Sequence, residues 1–249
     1  MMTSYICFDL ETTGLSPDKD EIIEIGAVKV VEGKVVDRFM RFVKPNEPIS
    51  EMVTSITGIT NAMVADAGPT DGIIFDFVQF CEDYPVLGHN LMFDYRFMRR
   101  YAKKYYMDFE KSGIDTLQIA RKVLPELPSR SLESLCAHYE IENKAAHRAY
   151  HDALATAKIY QTLKHYFGAE APALFVPETL IVKEKKVQPA TAKQKEYLNE
   201  LVKYHKISMN HDIETLTRSE ASRMIDKIIL NHGQMTRVPG RRSSVRKWN

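Results

Sequence analysis

The most constraining stretch of the chain is Tyr5-Ile-Cys-Phe-Asp-Leu-Glu11, an apolar run in which two acids stand two residues apart. Strand side chains alternate between faces, so Ile6, Phe8 and Leu10 share one side of this segment and Asp9 and Glu11 share the other. The run reads as a strand with an apolar face to bury and a carboxylate pair on the opposite face. Alone, it reads first as a half-exposed strand with a polar outer side. The pattern continues with strands at 22–31 and 34–43, joined by the hairpin turn Glu32-Gly-Lys34, and short strands at 86–88 and 112–114. Helical spacing falls at about 51–56, 60–65, 71–83, 91–105, 115–123, 131–138 and 151–166. Three early strands followed by strands alternating with helices imply an α/β chain with a mixed sheet flanked by helices.

Two further segments carry chemistry-bearing groups. Tyr84-Pro-Val-Leu-Gly-His-Asn90 reads as a short buried strand entering a turn, which places Asp94 on the first turn of the next helix. An acid there also has the ordinary role of complementing the helix dipole. In His147-Arg-Ala-Tyr-His-Asp152 the helix is expected to start near His151, with Asp152 fixed on it and His147 in the preceding loop. Asp9, Glu11, Asp94, Asp152 and His147 together are the four carboxylates and one imidazole that a two-metal phosphodiester hydrolase needs. Hard oxygen ligands select Mg²⁺ or Mn²⁺ over zinc.

In order and approximate spacing these segments resemble the three exonuclease motifs of the DEDDh family. That family includes the epsilon proofreading subunit of bacterial DNA polymerase III, the exonuclease domain of the Gram-positive replicative polymerase, RNase T and oligoribonuclease. The resemblance spans roughly residues 3 to 167. The tyrosine branch of the superfamily would carry Tyr four residues before the last Asp; Arg148 stands there, Tyr150 is out of phase, and His147 fits the histidine branch. The resemblance implies a ribonuclease H-like fold and two divalent cations on Asp9, Glu11, Asp94 and Asp152, with Asp9 bridging. It also implies His147 as the general base, imidazole being the side chain most used for proton transfer near neutrality. His151 is the rival base, disfavoured because it adjoins Asp152 and points about 100° away on a 3.6-residue helix.

Thr12 can offer its amide to a terminal nucleotide, and Leu15 can wedge beside the last base. By resemblance Ile59 touches the terminal bases, and Asn90 and Phe93 shape the same pocket, although each of these positions equally suits a turn or core residue. Many relatives carry His before Gly58, where this chain has Thr57. Asp115, followed by Gln118, reads first as a helix cap.

Beyond Phe167 the pattern changes. Residues 168–190 hold three Pro and no period, and read as a linker. Two capping boxes, Thr191-Ala-Lys-Gln194 and Thr217-Arg-Ser-Glu220, open amphipathic helices in a small module over 191–233. Its Ala-Thr-x-x-Gln start and Leu-Thr-x-x-Glu-Ala-Ser core resemble small helical modules appended to other proteins. The domains are therefore 1–167, the linker, the module, and a basic tail over 234–249. Residues 1–167 hold 24 acids against 19 bases, and residues 168–249 hold 9 against 15. The tail, with five bases and one Trp from Arg237 onward, suits salt-sensitive nucleic-acid binding, and equally suits a solubilising extension. Three dispersed Cys, no apolar run of membrane length and a charged N-terminus point to a cytoplasmic protein without membrane contact.

The expected activity is metal-dependent 3′→5′ hydrolysis of single-stranded or frayed DNA 3′ ends to nucleoside 5′-monophosphates, in proofreading, repair or end trimming. A DNA polymerase or other replication protein is the candidate partner. An exoribonuclease of the same family is the alternative within the class. A non-catalytic nucleic-acid-binding or polymerase-associated adaptor is the alternative outside it, opposed by the clustered carboxylates, which repel phosphate when metal-free.

Overall fold

Strands β1 (Tyr5–Thr12), β2 (Ile22–Val31) and β3 (Lys34–Phe42) form an antiparallel meander in the computed structural model, which describes residues 1–143, 145–182, 188–207 and 212–235. β1 also pairs in parallel with β4 (Val86–Gly88), which pairs in parallel with β5 (Ser112–Asp115). The sheet order is β3-β2-β1-β4-β5-β6, with β6 (Glu178–Thr179) antiparallel to β5 at the edge. β1 is therefore central. Tyr5 to Phe8 are buried without a break, because helices cover both faces of the sheet.

The two faces feed two cores. Ile6, Phe8 and Leu10 pack with α3 (Thr70–Cys81) and α4 (Met92–Lys104) through Phe77, Tyr95 and Phe97. Tyr5 and Cys7 pack with the long α7 (Ala149–Phe167) through Ala153, Ile159 and Tyr160. The alternation of β1 thus sends Asp9 and Glu11 to the α7 side. Helices α1 (Glu51–Thr57) and α2 (Asn61–Val64) carry a satellite cluster, and α5 (Thr116–Val123) and α6 (Leu132–His138) supply Ile119, Ala120 and Leu135 to the α7 core.

Two differences from the sequence reading bear on the site and on the division of the chain. α7 begins at Ala149 rather than near His151: the Arg148 carbonyl already accepts the His151 and Asp152 amides, and Ala149 N–H donates to Glu24. Residues 168–182 belong to the folded unit rather than to a linker. A short 3-10 turn at Pro172–Phe175 buries Phe175, whose carbonyl accepts Met2 N–H, while Leu180 N–H donates to the Lys111 carbonyl beside β6. These anchors are single residues around a two-residue strand, so they leave no periodic trace in the sequence.

The chain divides into two compact units, Met1–Val182 and Lys183–Asn249. In the second, α8 (Ala192–Tyr204) and α9 (Arg218–His232) each open on a complete capping box. Leu198, Leu201, Ala221 and Ile228 are buried between them, with Tyr197, Val202, Met224, Ile225 and Ile229 packed around. A bridge between Pro189 and Thr217 ties the start of one helix to the start of the other. The tail from residue 236 onward lies outside the described residues.

Candidate active site

Three elements deliver the expected carboxylates to one place. In the β1–β2 register Asp9 faces Gly26 and Glu11 faces Glu24, so the four positions share one sheet face. α7 starts directly on that face: a Cβ at Gly26 would stand 2.0 Å from the Tyr150 nitrogen, an approach only glycine permits. Asp152, in the first turn of α7, thereby comes over β1. Asp94 arrives from the α4 start. The pairing of β1 with β4 ends at Cys7 and Leu87, and beyond it the Leu10 N–H donates to Asp94 Oδ1 at 3.0 Å.

Glu11, His147 and Asp152 offer ligand atoms that all lie within 4.8 Å of one another. Asp152 is held by Asn143, whose Nδ2 donates to Oδ1 at 2.6 Å, and by the His147 N–H, which donates to Oδ2 at 2.9 Å. His147 has a left-handed backbone, φ 62°, that turns the loop tightly into α7, and its side chain is exposed. His151 stands outside this cluster with its ring against Tyr150, 5.4 Å between centroids.

The electrostatics are those of crowded acids. Burial pushes Asp9 well above the ordinary carboxylate range, and Asp94, Asp152, Glu11 and Glu24 push it further. Glu11 is pushed up to about 8 by burial, then by Asp152 and Glu24, with Arg148 opposing. Burial also raises Asp94 against the Leu10 hydrogen bond, and raises Asp152 against those from Asn143 and His147. Four such carboxylates fit hard divalent cations, which would offset the mutual repulsion of the acids.

The expected nucleotide-contacting residues divide. Leu15 is 85% exposed, Thr12 is half-buried with its hydroxyl on the Gly14 carbonyl, and Phe93 is half-buried against Phe97. Asn90 is exposed at φ 66°, its N–H donating to Asp115 Oδ1 at 2.9 Å. Asp115 caps α5 through the Leu117 N–H, so it secures both the cap and the Asn90 turn. Ile59 corrects its expectation. It is 0% exposed among Ile23, Ile49 and Val64, and offers no surface to a base. The reason is local: the Thr57 hydroxyl accepts the Ile59 N–H and turns that residue inward, whereas Ile56 of the same segment is 54% exposed.

Sequence reasoning missed Glu24, Arg148 and Asn143. The one available signal was Glu24 itself, an acid inside the apolar strand Ile22-Ile-Glu-Ile-Gly26.

The family model described as Exonuclease (RNase_T) matches residues 6–160, a stretch that contains all five of these groups. The chain belongs to the exonuclease family. Among curated relatives, the exonuclease region is 41% identical over 156 residues to the DNA polymerase III PolC-type of Caldanaerobacter subterraneus subsp. tengcongensis, covering 63% of this chain and 11% of that protein. It is 40% identical over 158 residues to the PolC-type protein of Thermotoga maritima, covering 63% of this chain and 12% of that one. The chain thus corresponds to only a small part of these relatives.

Among solved structures, exonuclease I of E. coli bound to a dT13 oligonucleotide superposes with TM-score 0.60 at 24% identity, over 70% of this chain and 43% of that one. Exonuclease X in complex with 5′ overhanging duplex DNA gives TM-score 0.53 at 29% identity, over 67% of this chain and 93% of that one. The six-stranded mixed sheet flanked by helices is the ribonuclease H-like exonuclease fold.

Proposed function

We propose that this exonuclease is a metal-dependent 3′→5′ enzyme that trims single-stranded or frayed DNA ends to nucleoside 5′-monophosphates. One observation carries the reading: acids from β1, α4 and α7 converge with the His147 imidazole on one end of a central strand. Asp9, Glu11, Asp94 and Asp152 would hold two divalent cations, Mg²⁺ or Mn²⁺. Bound there, these would offset charge building on the phosphate and on the departing 3′ oxygen.

The remaining work falls to the chain. A ring nitrogen of His147 takes the proton of the attacking water as its oxygen bonds to phosphorus. The P–O3′ bond breaks, the 3′ oxygen takes a proton from solvent, and the terminal nucleotide leaves with a 5′ phosphate. Asn143 and the His147 amide keep Asp152 aimed, and the Leu10 amide keeps Asp94 aimed. Leu15, Thr12, Asn90 and Phe93 form the wall for the last nucleotide, with exposed Leu15 beside its base.

DNA rather than RNA is supported by the relatives, which are DNA polymerases by name, and by the 29% identical exonuclease X, solved on duplex DNA. The PolC-type relatives also support a polymerase as partner in replication or repair. The deciding experiment is parallel digestion of matched, 3′-labelled DNA and RNA oligonucleotides with Mg²⁺ or Mn²⁺. Labelled mononucleotide is expected from DNA, and none from the Asp9→Ala protein. Undiminished release by Asp9→Ala would overturn the metal assignment, and faster release from RNA would overturn the substrate.

A further inference from the structure

A buried acid stands beside the ligand set without belonging to it. Glu24 is 3% exposed and lies directly across from Glu11 on the neighbouring strand. Two like charges facing each other across strands destabilise a sheet unless a cation intervenes. Both Glu24 oxygens are taken: Oε1 accepts Arg148 Nη2 at 2.8 Å, and Oε2 accepts Arg148 Nε at 3.1 Å and the Ala149 N–H at 3.1 Å. The fork geometry of a guanidinium on a carboxylate fixes orientation as well as distance. The Arg148 guanidinium also lies over the Phe42 ring, 5.4 Å from its centroid.

A second contact has the same direction. Gly26, two residues along the same face of β2, admits the backbone of Ala149 and Tyr150 against the strand. β2 therefore meets the first residues of α7 at two points, opposite Glu11 and opposite Asp9. The residue just before this docked segment is His147. A partly buried ion pair adds little stability over apolar packing, while removing one partner leaves the buried Glu24 charge uncompensated.

We propose that Glu24 and Arg148 are positioning residues for the exonuclease reaction: with Gly26 they dock the start of α7 on β2 and so hold His147 within reach of Glu11. This rests on the hydrolytic reading of the site. Neither residue needs to touch the strand being cut, so the pair acts on the rate of the chemical step more than on binding.

The test is single-turnover cleavage of a 5′-labelled single-stranded DNA oligonucleotide with saturating Mg²⁺, together with KM under steady state. Glu24→Gln and Arg148→Ala are each expected to slow cleavage about 10- to 100-fold, the usual loss when a supporting partner of a site is removed. KM should change by less than about two-fold. In a His147→Ala background, Glu24→Gln should slow the residual rate by less than about two-fold, because the group it positions is already gone. Should Glu24→Gln fail to fold, Arg148→Ala carries the same cycle, its side chain being 32% exposed.

Wild-type rates in both single variants, or equal fold losses with and without His147, overturn the inference alone. A wild-type protein that releases no nucleotide, or His147→Ala protein as fast as wild type, overturns the reading of the site and this inference with it.

Discussion

Glu11 shows most directly how the cluster couples charge to stability. Its folded pKa is raised from the ordinary 4.5 to about 8, so in the absence of cations the folded state holds a proton the unfolded chain has released. Stability from this group is therefore complete below about 4.5, falls as pH rises toward about 8, and is flat beyond it. Thermal melts across that window are expected to show a declining Tm that added Mg²⁺ levels out. Glu11→Gln is expected to raise the cation-free Tm at neutral pH and to remove most of the Mg²⁺ increment, the familiar exchange of function for stability. A Tm in Glu11→Gln protein that still rises fully with Mg²⁺ would contradict this. For the imidazoles, His147→Ala is expected to cost about 10²- to 10⁴-fold in cleavage rate, the span of general base catalysis, and His151→Ala little, read from initial rates. At this scale the five clustered residues were legible because their types and intervals lie along the chain. The partners of Glu24 and Asn143 were not, since each is acquired only when α7 meets β2 or the loop closes on Asp152.

Elements carry the positions of these residues, and α7 carries most. Its start was misplaced by two residues in the sequence reading, because the acceptor that lets it begin at Ala149 is Glu24, on a strand 125 positions away. β1 taken alone also fits a half-exposed strand, and its central place shows only in the sheet order, since alternation cannot reveal that a second helical layer covers the polar end. Adding one methyl at Gly26 tests the packing of α7 on β2. Gly26→Ala would place Cβ against backbone atoms of Ala149 and Tyr150 at 2.1 and 2.0 Å, where no side chain can yield. The helix start must move, with an expected loss of about 1–3 kcal/mol in urea unfolding and a fall in cleavage rate at unchanged KM. Full activity in a destabilised Gly26→Ala protein would separate the fold's need for this glycine from the site's.

For the whole molecule, the sequence divided the chain at Phe167 and the structure divides it after Val182. The intervening residues lacked any readable period because Phe175, Leu180 and Val182 join the cores one at a time. A chain ending at Val182 is expected to melt close to the full-length value and to keep cleaving short oligonucleotides. One ending at Phe167 loses the buried Phe175 and the edge strand, and is expected to melt lower by several degrees in calorimetry. Equal melting of the two truncations would restore the linker. The capping boxes of the second unit were legible in full, each being a local pattern whose partners lie three residues apart. The facing of Asp9 with Gly26 and Glu11 with Glu24 has one more consequence, for the register of β2. A slip of β2 by one residue would bring Ile23 and Ile25 under α7 and send Glu24 into the opposite apolar layer. Slippage would thus be punished twice over, in folding and in turnover, because the apolar alternation of β2 sets the register on which the carboxylate cluster depends.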